Sequence, residues 1–315
     1  MTPQKIIIDT DPGIDDAMAI FFALNSPELE LIGLTTIFGN GFTDLTTTNA
    51  LRLLEIAERP DIPVAVGAAQ PVADRFDEPG SVVHGDDGQG NVHLPPPTAK
   101  PVDQNAAAFI IEQVMRAPRE VTLVPIGPLT NIALALHLEP RIATAVREVV
   151  IMGGNALVPG NITPAAEANI FHDPEAADTV FGTSWPVTMV GLDVTQKTVM
   201  SSEQLGKLAQ STTATAQHLS AIIPFYQDFT LKANKFHGIY LHDPTTLAYL
   251  VAKDAFQTLQ RPVRVETQGF SRGKTWIAND QTNKWSTAWQ NRPPVNVCIG
   301  VNGPQISDLI LERLM

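Results

Sequence analysis

Four aspartates, Asp9, Asp11, Asp15 and Asp16, crowd into eight positions of this chain, after three consecutive isoleucines (Ile6, Ile7, Ile8) and around a Pro12-Gly13 bend. Such a β-branched run reads as a strand buried on both faces. Pro-Gly ends the strand and turns the chain. Ala17, Met18, Ile20, Phe21 and Leu24 then recur at helical spacing, so Asp15 and Asp16 stand at a helix N-terminus. One aspartate there caps the helix and complements its dipole. Four repel one another unless a cation sits between them. Carboxylate oxygens favour a hard divalent ion, calcium or magnesium.

The elements that must position this cluster alternate along the chain. Strand patterns are expected at Leu29–Thr36, Ile62–Val66, Val121–Ile126, Glu148–Met152, Val187–Val190, Val263–Glu266 and Val295–Ile299. Helical patterns intervene at Thr43–Ala57, Asp103–Met115, Leu129–Leu138, Pro174–Phe181, Ser202–Ala209 and a longer piece through Thr230. Leu241-His242-Asp243-Pro244 opens a further helix to about Val251, and Gln305–Leu314 closes the chain. The rhythm predicts an α/β fold, a mostly parallel central sheet with helices on both faces. No linker, repeat or charge block divides residues 1–315, so one domain is expected. Residues 67–102 lack periodicity, and a loop that long inside a domain is usually functional or mobile.

In such sheets ligands sit beyond the carboxyl ends of the strands. The residues there are the four aspartates, Asn40, the turn at Ile126-Gly127, Asn155, Asn161, Glu167 and Asn169. His242 and Asp243 join them if their helix starts at the same rim. Carboxylates and amides dominate this set, and Lys and Arg are scarce. Such groups hydrogen-bond hydroxyls, whereas a phosphate calls for cationic donors. Metal plus hydroxyl partners points to a sugar. A rival remains: Asp9-Thr10-Asp11 after a buried strand also outlines a magnesium-dependent phosphohydrolase. A non-catalytic sugar or nucleoside binder is a third reading. Taken singly, His242-Asp243-Pro244 reads equally as a capped helix start, and His84 as a solvated loop histidine. Glu167 and Asn169 alternate as strand or loop neighbours would.

Composition narrows the classes. Net charge is −12 with a pI near 4.9, which argues against nucleic acid or an anionic membrane as partner. The single cysteine, Cys298, cannot form an internal disulfide and suits a reducing cytosol. The first aspartates interrupt any secretory signal, and no apolar run approaches the roughly 20 residues of a membrane span. The expectation is a cytoplasmic protein.

Many blocks, in order, resemble the inosine–uridine-preferring nucleoside hydrolases. They are Asp9-Thr10-Asp11-Pro12-Gly13-Ile14-Asp15-Asp16, Asn40, His84-Gly85-Asp86 and Ile126-Gly127-Pro128-Leu129-Thr130-Asn131. They continue through Met152-Gly153-Gly154, Gly160-Asn161 to Asn169, Asp173-Pro174-Glu175-Ala176-Ala177, Gly191-Leu192-Asp193-Val194-Thr195 and His242-Asp243. The resemblance implies a calcium ion held by Asp11, Asp16, the Ile126 carbonyl and Asp243, with Asp11 as general base on a water. It implies ribose contacts from Asp15, Asn161, Glu167 and Asn169, with Asn40 nearby and His84 also toward substrate. It places His242 where the departing base is assisted. A homodimer or homotetramer is implied likewise. Two departures bear on the base: Ala168 stands where the family commonly has phenylalanine, and Lys232–Tyr240, with His237 and Tyr240, matches no subgroup.

Overall fold

The isoleucine run lies at the middle of the molecule. A computed structural model of the chain describes residues 2–77, 79–279, 281 and 285–315. Its strands are β1 (Gln4–Thr10), β2 (Leu29–Thr36), β3 (Val64–Val66), β4 (Val121–Pro125), β5 (Glu148–Met152) and β6 (Val187–Val190). They continue as β7 (Val199–Ser201), β8 (Gly238–Tyr240), β9 (Phe256–Val265), β10 (Thr275–Ile277) and β11 (Pro294–Val301). Nine of them form one sheet in the order β10-β9-β11-β6-β5-β4-β1-β2-β3, and β7 pairs with β8 separately. Every pairing in the large sheet is parallel except those of β9, which runs against both β11 and β10.

Period-two alternation explains why Ile6, Ile7 and Ile8 at the middle of β1 are all apolar. Ile6 and Ile8 pack into one core with the helices Ile14–Leu24, Ala214–Asn234, His242–Val251 and Gly303–Leu314. Ile7 points the other way, into a second core with Ala106–Arg116, Thr130–Leu138 and Pro174–Phe181. A strand covered on both faces needs apolar residues on both. The helix Ile14–Leu24 is buried along nearly its whole length, which is why its apolar residues are not confined to one stripe.

The chain leaves β1 toward β2 on one side, while β4 returns on the other. That reversal opens a crevice at the carboxyl ends of β1 and β4, where ligands of open α/β sheets bind. Asp11 follows β1 and Ile126 follows β4, so the topology brings these two segments to one rim.

Most boundaries agree with the sequence expectations, and β2, β5, β6 and Pro174–Phe181 coincide with them. The differences are local. Glu167 and Asn169 stand at the start of a helix, Ala168–His172, Glu167 as its extended N-cap and Asn169 in its first turn, and do not alternate as neighbours in a strand. The strand expected at Val263–Glu266 spans Phe256–Val265, because its first half is polar and half-exposed and carries little alternation. The loop at 67–102 contains a short helix, Ser81–His84. Among the described residues no helix is long and apolar enough to cross a membrane.

Candidate active site

Local structure at the end of β1 sets the acidic cluster. Gly13 is the N-cap of Ile14–Leu24, and Asp16, three residues on, accepts from the Gly13 backbone N–H at 2.9 Å. Asp16 also accepts from Thr10 Oγ1 at 2.6 Å and from Asn40 Nδ2 at 3.1 Å. Asp15, Asp16 and Asp243 each bring a carboxylate oxygen to within 4.8 Å of the others, all three buried. The His242–Val251 helix therefore does start at this rim, with no side-chain cap from His242 or Asp243.

Asp11 lies alongside this trio. Its Oδ2 accepts from the Asn40 backbone N–H at 2.7 Å, while its Oδ1 is buried without a partner. Two glycines make room for the carboxylate. A Cβ on Gly39 would meet Asp11 Oδ2 at 2.1 Å, and one on Gly127 would meet Oδ1 at 2.5 Å. Asp9 is held further back, accepting from Thr35 Oγ1 and from Asn131 Nδ2, which makes it a support of the loop.

Electrostatics make this arrangement costly without a cation. Burial, then Asp16, raises the Asp11 carboxyl well above its ordinary range. Burial and Asp16 push Asp15 up to about 8, and burial with Asp15, Asp16 and Asp11 raises Asp243 strongly. An unpartnered buried oxygen, three converging carboxylates and this shared resistance to ionisation are what a divalent-ion site looks like before it is loaded. The carbonyl of Ile126 lines the same space and accepts from Asn169 Nδ2 at 2.8 Å, with a second lone pair left over. The residues fit a hard metal ion.

A stability prediction follows from those directions. Carboxyls whose folded pKa exceeds the unfolded value of 3.8 make the metal-free fold bind extra protons. Stability of the metal-free chain should fall as pH rises from about 4 toward about 8. A bound divalent ion opposes that loss, by about 2.7 kcal/mol at a hundredfold excess over Kd. Thermal melts with chelator and with calcium should therefore diverge progressively between pH 5 and pH 8. A constant or shrinking gap would contradict the site.

Beside the cluster opens a cavity of about 360 Å³. Asp15, Asn40, Ile126, Asn161, Glu167, Asn169, His84, His242 and Asp243, nine of the residues singled out in the sequence, line it together. Glu167 is the N-cap of Ala168–His172; its Oε1 accepts from Asn169 N and its Oε2 from Gly154 N and Ile170 N. Asn169 spends its amide N–H on Ile126 O and Met152 O, which leaves its Oδ1 for a ligand. Asn161 Oδ1 accepts from Ala168 N, at 3.0 Å. Among the lining residues there is no Lys or Arg.

His84 is not the solvated histidine its loop suggested. It is buried, its Nδ1 accepts from the Ile14 backbone N–H at 3.1 Å, and its Nε2 lies 3.9 Å from Asp15 Oδ1. Burial, then His242, lowers its pKa to about 3, and burial lowers His242 to about 4, so both rings are neutral at physiological pH. His242 Nδ1 is 2.8 Å from Thr195 Oγ1.

Part of the remaining wall was not anticipated: Val83, Gln196, Tyr226 and Phe229 line the cavity. Ala168 and, within Lys232–Tyr240, Ala233, Asn234 and Tyr240 line it too, in the two places the sequence had linked to the base. Tyr226 packs near His84 at 5.9 Å between ring centroids and stacks on Phe229, and Tyr240 lies 5.5 Å from His242. His237 is exposed and lies outside this wall.

Comparison with known proteins is consistent with these features. The profile of the family described as inosine-uridine preferring nucleoside hydrolase matches residues 6–308. A probable uridine nucleosidase 2 of Arabidopsis thaliana is 46% identical over 318 residues, covering 99% of this chain and 98% of the relative. An inosine-uridine preferring nucleoside hydrolase of Leishmania major is 42% identical over 269 residues, 85% of each chain. The solved structure of a plant nucleoside hydrolase, PpNRh1, superposes with a TM-score of 0.96 at 42% identity, covering 99% of both chains.

Proposed function

This chain belongs to the family of inosine-uridine preferring nucleoside hydrolases, enzymes that hydrolyse ribonucleosides to base and ribose, and on that premise we propose a calcium-dependent enzyme acting on uridine with Asp11 as general base. The observation that carries the reading is the meeting of a carboxylate trio, the unpartnered Asp11 Oδ1 and an amide-lined cavity free of Lys and Arg. Asp11, Asp16, Asp243 and the Ile126 carbonyl would hold the ion, whose charge, when bound, makes a neighbouring water easier to deprotonate.

The chain's own groups do the rest. Asp11, with one buried oxygen that has no protein partner, is suited to take a proton from the attacking water. Breaking an N-glycosidic bond builds positive charge on the ribose, and the acidic pocket stabilises it. Asp15, Asn161, Glu167 and Asn169 hold the ribose hydroxyls as acceptors and donors, with Asn40 bracing Asp11 and Asp16. The aromatic wall of Tyr226, Phe229 and Tyr240 takes the base, with His84 and His242 beside it. A uridine preference is supported by relatives named uridine nucleosidases at 46% and 42% identity over 99% of this chain. A phosphohydrolase is disfavoured by the lack of any cation lining the cavity.

Initial rates on uridine, cytidine, inosine, adenosine and guanosine with calcium present, read as free base and ribose, test the proposal. Uracil and ribose in equal amounts, with the highest kcat/KM on uridine, is the expected result. No release from any nucleoside, or phosphate release from nucleotides instead, would overturn it.

A further inference from the structure

The hydroxyl of Thr195 is wholly buried at the end of the short helix Leu192–Thr195. Its backbone N–H is taken by the Gly191 carbonyl, and its Oγ1 lies 2.8 Å from His242 Nδ1. Among the described residues that hydroxyl has no other hydrogen-bond partner. A hydroxyl can accept or donate, but a buried one must place its proton on some acceptor. If Nδ1 carried the hydrogen, it would donate to Oγ1 and strand the threonine proton. If Nδ1 is bare, the hydroxyl donates to it and both groups are satisfied. Hydrogen-bond accounting therefore selects one form of the neutral ring, with its proton on Nε2. His242 lines the cavity, and its Nε2 has no protein partner among the described residues and is not sealed from the open space.

We propose that Thr195 is a positioning residue that holds His242 as an Nε2–H donor toward the departing nucleobase, an inference that rests on the ribonucleoside hydrolase reading of the site. In the reaction the C1′–N bond breaks and its electron pair leaves with the base. The water oxygen bonds to C1′, and its proton goes to Asp11. Negative charge spreads onto the carbonyl oxygens of the base, where the Nε2–H meets it, and the base takes its proton from solvent after release. A donor of this kind matters in proportion to the charge it meets. It matters most for a poor leaving group such as uracil and least for nitrophenolate.

The test compares Thr195→Val, nearly isosteric but without the hydroxyl, with Thr195→Ser, on uridine and on p-nitrophenyl β-D-riboside with calcium present. Thr195→Val should lower kcat on uridine by about 10- to 100-fold with KM nearly unchanged, the range usual for groups that orient another ligand. Its kcat on the nitrophenyl riboside should fall several times less, and Thr195→Ser should recover most of the uridine rate. Equal falls on both substrates, failure of Thr195→Ser to recover, or an unchanged uridine rate would overturn the assignment. Imidazole 15N shifts of His242 in the unmutated protein give a second reading that needs no variant: Nε2–H supports the proposal and Nδ1–H overturns it. A protein inert on every ribonucleoside would count against the function proposed above, whereas the NMR tautomer separately tests whether Thr195 fixes the ring proton of His242.

Discussion

Asp11→Asn is expected to lower kcat on uridine by about three orders of magnitude or more, within the range of a lost general base and beyond that of a lost contact. The substitution keeps size and shape, and the amide oxygen can still accept from the Asn40 backbone N–H, as Asp11 Oδ2 does. What it removes is the proton acceptor at Oδ1, the oxygen with no partner of its own. The space between Gly39 and Gly127 is too narrow for another residue to supply one. Folding should survive, since a strongly raised carboxyl is replaced by a neutral group in the same place. The check is kcat and KM on uridine with a thermal melt of the same preparation. A loss of less than about tenfold would remove Asp11 from the role of base.

Asp243→Asn should separate activity from stability. Turnover is expected to drop by at least about a hundredfold, because one of the three converging carboxylates is gone. The metal-free variant should nonetheless melt higher than the metal-free parent at pH 8. Asp243 has its carboxyl raised by burial and by Asp15, Asp16 and Asp11, and it shares a hydrogen bond with Asp16. A protonated Asp243 can donate in that bond; an ionised one cannot. The asparagine amide donates at every pH. The sign follows: the parent's penalty is present at high pH and vanishes as pH falls and Asp243 gains its proton, so the difference in Tm should close toward pH 5. A variant that melts lower at pH 8 with chelator present would show that Asp243 stabilises the fold unaided.

The two halves of the site differed in how readily the sequence discloses them. Asp9 to Asp16 could be read directly, because a strand buried on both faces followed by four carboxylates within one bend has few physical explanations. Asn40, Ile126, Glu167 and Asn169 followed from the rule that ligands gather at strand carboxyl ends, though their individual roles came from family resemblance. The trio that converges most closely is Asp15, Asp16 and Asp243, whereas resemblance had put Asp11 among the metal ligands and Asp15 on the ribose. No spacing within the segment decides which aspartate faces which partner.

The aromatic wall of the cavity was harder to read. Tyr226 and Phe229 stand three apart in the helix Ala214–Asn234, a spacing indistinguishable from that of core residues. Only the packing of that helix against the Ser81–His84 segment turns them toward the cavity. Taken alone His84 gave no sign of its burial, which depends on a distant backbone donor, here Ile14 N; the resemblance had put it toward substrate, and it lines the cavity. Thr195 and His242 are 47 positions apart, and nothing local pairs them. Glu167 looked like one member of an alternating pair because its backbone is extended, as an N-cap's is, while its side chain is already engaged in capping.

The most direct test of the account is uracil release from uridine while calcium is titrated back into protein stripped by chelator. Negligible rate in the stripped protein and a saturable return with added calcium are expected, the return being lost when Asp243→Asn is used in its place. Full activity in the thoroughly stripped protein would overturn the proposal, since the carboxylates around Asp11 would then be working without the ion they are proposed to hold.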